Sequence, residues 1–187
     1  MKTKEHILDT ALTLFNQQGT GAVSTNHIAE AAGISPGNLY YHYRNKEEII
    51  RALFERLFHL WDVKLVLPAN QPITLAAIKQ LIETNFEIMW QYRFVYREIL
   101  TLLRHDAALH ERYVGIRQRG YAGFRQAFMM LAPTADEITT TRMADIIWII
   151  SEFWLPTLES RGEAITHEQI QGGIDLMLHV LAPYISE

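Results

Sequence analysis

Cysteine is missing from the 187-residue chain. That excludes disulfides and cysteine-ligated zinc, and it fits a reducing compartment. Long apolar runs are missing too. The longest candidate, around Ile146–Ile150, falls far short of the roughly 20 residues that span a bilayer. The N-terminal stretch has Glu5, His6 and Asp9 spread through its apolar residues, so it does not read as a signal peptide. A cytoplasmic protein with no membrane partner is expected. No segment alternates β-branched and polar residues, so no sheet is predicted. Glycine-rich phosphate loops and the G-x-S-x-G elbow are absent, and His105 and His110 lack the spacing of the H-E-x-x-H zinc pair. The residues therefore support no enzyme, no catalytic group, no metal and no cofactor.

Excess positive charge is lacking as well. The chain carries a net −4, and residues 1–50 hold four bases against five acids. A DNA-binding domain is usually basic. Placement matters more than the sum. From Gly33 to Lys46 there is no acid, and Arg44 and Lys46 are present. Phosphate contacts can also come from hydroxyls, amides and helix N-termini.

What is present is concentrated in Ser24 to Lys46, STNHIAEAAGISPGNLYYHYRNK. Ser24 or Thr25 can cap a helix whose apolar face is Ile28, Ala29 and Ala32. Gly33 ends it, Ile34 plugs the corner, Ser35 caps the next helix and Pro36 takes its first position. Leu39 and Tyr43, four apart, face back onto the first helix. Asn38, Tyr40, Tyr41 and His42 are left to point elsewhere. An ordinary helical hairpin has no need of four consecutive polar rings, because four positions cover every face of a helix. A helix, a tight turn with glycine and a second helix make a helix-turn-helix, whose second helix enters the major groove.

The order IAEAAGIS-x-G-x-LYYHY-x-x-KEE resembles the signature of the TetR/AcrR family of bacterial transcriptional regulators. The likeness covers about residues 5–50. The family usually has an aromatic residue directly after the first glycine of the preceding turn, where this chain has Thr20. The resemblance implies an all-α protein of about nine helices. Residues 1–47 would be a three-helix helix-turn-helix DNA-binding domain, and residues 48–187 a helical ligand-binding and dimerisation domain. It further implies a regulator, by family habit a repressor, released from a palindromic operator by a small-molecule effector. Thr25, Asn26, Ser35, Pro36, Gly37, Asn38, Tyr40, Tyr41, His42 and Lys46 are the expected contacts to double-stranded DNA. An all-α dimeric small-molecule-binding or interaction protein with a vestigial helix-turn-helix is the alternative.

Helical periodicity extends through the rest. Ile7, Leu8, Ala11, Leu12, Leu14 and Phe15 mark a helix over 3–18. A long helix starts at Asn45 and carries Ile49 to Trp61 before Pro68. Leu67–Pro72 reads as a linker. Four further helices are predicted over 73–91, 93–130 with a break near His105–Ala108, 135–160 and 166–183. Thr134 or Asp136 would cap the third, and Thr166 with Gln169 would box the fourth. Ile146–Ile150 is apolar on every face, and the last helix has a stripe from Ile170 to Ile185 with Gly172 and Gly173 permitting close approach. A homodimer through the last two helices suits that pattern. The body is rich in aromatics. Phe86, Trp90, Tyr96, Arg97, Tyr121, Phe124, Trp148 and Glu152 are its candidate ligand contacts, with core packing the competing role for each ring.

Overall fold

The computed structural model describes residues 2–65 and 74–184, so Leu67–Pro72 and Ile185 lie outside the described residues. Among those residues there are nine α-helices and no strand. The helices are α1 (Lys2–Gln18), α2 (Thr25–Ala31), α3 (Pro36–His42), α4 (Lys46–Lys64), α5 (Leu75–Gln91), α6 (Arg93–His105), α7 (Ala107–Leu131), α8 (Glu137–Ser160) and α9 (Glu168–Leu181). A 3-10 turn, Ala182–Tyr184, follows. No helix among them is long and apolar enough to cross a membrane.

Six helix starts have a local cause. Ser24, Ser35, Asn45, Thr74, Asp106 and Asp136 each accept a hydrogen bond from a first-turn N–H. Of the two candidates before α8, it is therefore Asp136 that caps. The break near His105 is a true one, because Asp106 ends α6 and caps α7 in one residue. Gly33 ends α2 with φ +66°, a conformation that favours glycine. The box expected at α9 is only half formed. The Thr166 N–H donates to Gln169 Oε1 at 3.2 Å, but the helix begins at Glu168 with no side-chain cap. Pro156 lies inside α8 and supplies no N–H to the Glu152 carbonyl one turn back.

Apolar faces then close one core. Phe15, Phe54, Phe58, Phe86, Phe94 and Phe128 are fully buried in it. Burial of that kind is worth about 1.5–3 kcal/mol per large side chain. Arg56 fixes α4 on α1 through Glu5 and through Asp9 at 2.8 Å. Gly173 provides close approach within the chain: a Cβ there would run into the Phe86 ring, so its bareness lets α9 close on α5.

Carboxylates tie the long helices together. Asp106 on Arg51, Glu55 on Arg112 and Glu159 on Arg97 are all held below their ordinary range, chiefly by the hydrogen bond from the arginine. Such groups favour the charged form in the folded state. Their contribution is present above the unfolded values, 3.8 for aspartate and 4.5 for glutamate, and is lost as pH falls through the depressed folded values. The melting temperature should therefore drop on acidification below about pH 4.5, with proton uptake on unfolding. Arg51→Gln should flatten that drop. A melting temperature that holds or rises on acidification contradicts this.

Candidate nucleic-acid interface and body cavity

The short helices α2 and α3 pack through Ile28, Ala29 and Leu39, all buried, with Tyr43 beneath them. Burial pushes the Tyr43 hydroxyl up to about 12, so that ring belongs to the core as a neutral group. The same packing forces the remaining rings outward. Tyr40 is 47 % exposed and Tyr41 83 % exposed. His42 is half-exposed and meets the Tyr41 ring edge-on at 5.1 Å. Tyr40 is steadied by a 2.9 Å hydrogen bond between its hydroxyl and Thr25 Oγ1, which ties α3 to α2 on the outer surface. Asn26, Ser35, Pro36, Gly37 and Asn38 are exposed on the same two helices and their turn, the last four around the start of α3, where Ser35 takes the Asn38 N–H. This face can offer hydroxyls, amides and an imidazole to phosphates and base edges.

Lys46 is placed differently from its neighbours. Its Nζ donates to the Thr20 carbonyl at 2.7 Å, so a phosphate contact must compete with that bond. Thr20 itself is buried. Its N–H donates to Glu98 Oε1 at 2.9 Å and its hydroxyl to Glu98 Oε2. Glu98 lies on α6, far along the chain. At the position where the resemblance leads to an expected aromatic residue, this chain has a hydroxyl locked to a carboxylate. Asn16 adds a second tie, donating to the Gln91 carbonyl at 2.8 Å and accepting from the Phe94 N–H at 3.0 Å. The N-terminal helices are thus bolted to the α5–α6 corner. Thr20→Val should cost about 1–3 kcal/mol, because it strips a donor from a part-buried carboxylate. Urea unfolding measures this, and an unchanged midpoint contradicts it.

The body holds a cavity of about 600 Å³ between α4, α5, α7, α8 and α9. Phe124 and Trp148 line it, together with residues sequence reading passed over: Trp61, Asn85, Arg117 and Met177. Glu152, 9 % exposed, lies just behind the wall, where its carboxylate accepts from the Tyr113 hydroxyl at 2.8 Å and pairs with Arg117. Burial pushes the Tyr96 and Tyr113 hydroxyls up, so both stay protonated. Other candidates sit elsewhere. Phe86 is core against α9. Trp90 stacks under Arg93 at 4.4 Å. Arg97 is paired with Glu159 at 2.6 Å. Tyr121 donates to Asp145 at 2.6 Å and packs edge-on against Trp148.

Two family models divide the chain between them. One, bacterial regulatory proteins of the tetR family, matches residues 7–53, and the other, a bacterial transcriptional repressor, matches residues 62–187. The chain belongs to the TetR family. Regulators of this family bind DNA operators and small-molecule effectors and form dimers. A solved TetR-family transcriptional regulator from Marinobacter aquaeolei VT8 is 36% identical, with a TM-score of 0.90 over 100% of this chain and 92% of that one. The HTH-type transcriptional regulator AcrR of Shigella flexneri is 43% identical over 54 residues, 29% of this chain and 25% of that protein. The HTH-type transcriptional regulator RutR of Escherichia coli K12 is 34% identical over 89 residues, 48% of this chain and 42% of that protein. The chain therefore spans less than half the length of these two curated relatives. The TetR-family likeness to the Marinobacter protein, by contrast, runs through head and body alike.

Proposed function

We propose that this chain is a ligand-responsive DNA-binding transcriptional regulator, a repressor released from a palindromic operator by a small molecule. The observation that carries the reading is the intact helix-turn-helix with Tyr40, Tyr41 and His42 turned out and Leu39 and Tyr43 turned in. A vestigial motif has no reason to keep its caps, its left-handed glycine and its outward ring row together. Residues 1–47 act as the reading head and 48–187 as the body. Thr25, Asn26, Ser35 and Asn38 supply hydrogen bonds to phosphates or bases, Pro36 and Gly37 let the backbone approach closely, and Lys46 exchanges Thr20 for a phosphate. The regulator acts in the cytoplasm.

The reading includes a two-fold dimer through α8 and α9. Within one chain Ile147 is buried, yet Ile146, Ile149 and Phe153 of α8 and Leu176 of α9 stay exposed. The three α8 positions form one helical stripe. A two-fold axis there places two heads on successive major grooves about 34 Å apart. Ligand in the body then favours a head spacing that no longer fits, which requires that it bind the two states unequally. The Glu98–Thr20 and Asn16 bonds give α6 a direct hold on the head. Selection of genomic fragments with the purified protein tests the reading. Enrichment of one near-palindrome supports it, and a selection that enriches nothing counts against it.

A further inference from the structure

The outward face of α3 has a gap in its middle. Leu39 faces in, so the opposite side of the helix is centred on Gly37 and Tyr41, both exposed. The nearest atom that a Cβ at Gly37 would meet is Ser35 Oγ, at 4.0 Å, and the Gly37 φ is not a left-handed one. Nothing in the chain itself therefore calls for glycine there, and glycine in a helix costs stability relative to alanine. That leaves its bareness to be explained by what docks on the face. Tyr40 and Tyr41, three and four residues on, are its neighbours one turn along, and their side chains lean back toward it. Tyr40 is held in place by the 2.9 Å bond between its hydroxyl and Thr25 Oγ1. With that hydroxyl engaged, Tyr40 presents its ring. The result is a methyl-sized notch walled by aromatic carbon.

What the face lacks narrows the base pairs it can read. Guanine is read chiefly by a bidentate arginine or lysine, and cytosine by a carboxylate. The helix, PGNLYYH, has no arginine, no lysine and no acid. His42 has no two N–H groups side by side to offer. Arg44 and Lys46 follow the helix, and Lys46 Nζ is bonded to the Thr20 carbonyl at 2.7 Å. Base edges are met by the N-terminal part of a recognition helix, so cations past its other end meet the backbone instead. An A·T pair offers what suits this face. Adenine has a donor and an acceptor for an asparagine amide, and thymine has a 5-methyl for an apolar wall. Asn38 is exposed beside the notch.

We propose that α3 reads A·T pairs, and that the 5-methyl of one thymine in each half-site seats in the notch at Gly37 against the Tyr40 ring. This rests on the chain binding an operator through α3, and the test separates the two. Duplexes are selected from a random pool with the purified protein. Each thymine of the recovered half-sites is then replaced in turn, as a symmetric pair, by uracil, which lacks only the methyl. Anisotropy should find one such pair at which uracil weakens the wild-type protein about tenfold, a buried methyl counted in both half-sites. Gly37→Ala fills the notch from the protein side. It should melt no lower than wild type, since alanine is the better helix former. It should bind the thymine site about tenfold more weakly, because the two methyls then compete for one space. The thymine and uracil sites should become alike to it. Tyr40→Ala opens the wall of the notch and should also lose the preference for thymine. Uracil without effect at every half-site thymine overturns the proposal, as do recovered half-sites made of G·C pairs, or a thymine preference undiminished in either variant. Each of those results leaves operator binding standing. A selection that enriches no site overturns the operator reading, and the proposal with it.

Discussion

Alanine at Tyr40 or Tyr41 is expected to weaken operator binding by about thirtyfold or more, with the fold untouched. Both rings lie outside the core, Tyr41 with 83 % of its surface free. Tyr41 buries little and Tyr40 only about half its surface, so the melting temperature should hold within about a degree or two for Tyr41→Ala and fall somewhat further for Tyr40→Ala. A lost base-edge or phosphate contact costs about 1–3 kcal/mol, and the two-fold axis counts it twice, giving about 2–6 kcal/mol. Tyr40→Phe separates the ring from its hydroxyl. It keeps the aromatic face but loses the bond to Thr25, and should sit between wild type and alanine. Fluorescence anisotropy on the selected site measures all three. Wild-type affinity in Tyr41→Ala would mean that α3 does not face the DNA through this edge.

A glutamate at Ile149 is expected to turn the dimer into a folded monomer. Ile149 is 58 % exposed in one chain, and Ile146 and Phe153 flank it one helical turn either side. Singly exposed apolar residues are normal, but a contiguous stripe of this kind marks an interface. An uncompensated charge buried there costs several kcal/mol, and the symmetric seam buries it in both copies. The dimer dissociation constant should rise by about a thousandfold or more, since each 1.4 kcal/mol is tenfold. Sedimentation at micromolar protein should read a monomer with unchanged helicity. Operator affinity should fall with it, because each head alone reads only a half-site. A variant that remains dimeric would place the seam elsewhere.

The head was legible in the sequence because its signals are local. A cap, a glycine stop, a proline at the first helical position and an i, i+4 apolar pair all lie within a few residues of one another, and the structure uses each of them. The long helices were legible for the same reason, through their period. What sequence reading missed depends on pairs with no shared period. Thr20 meets Glu98 across 78 positions, and nothing near Thr20 announces a carboxylate. Lys46 has the right charge and place for phosphate, but its bond to the Thr20 carbonyl is set by the turn it folds against. Arg117 looks like one more basic residue on a long helix. Only the convergence of α4, α7 and α8 puts it between Trp61 and Trp148, facing Glu152. Arg97 shows the reverse case: it is a candidate ligand contact by sequence, and Glu159 on α8 takes up its charge.

One titration bears most directly on the central claim, that the outward face of α3 reads DNA as a two-fold pair. The recovered site and a scrambled duplex of the same length are titrated with protein at physiological salt, by anisotropy. The recovered site should bind at about 10⁻⁸ M or tighter and at least a thousandfold more tightly than the scramble, at two chains per duplex. Equal affinity for the two duplexes, or saturation at one chain, would contradict a two-fold reader and leave the head without sequence-specific work.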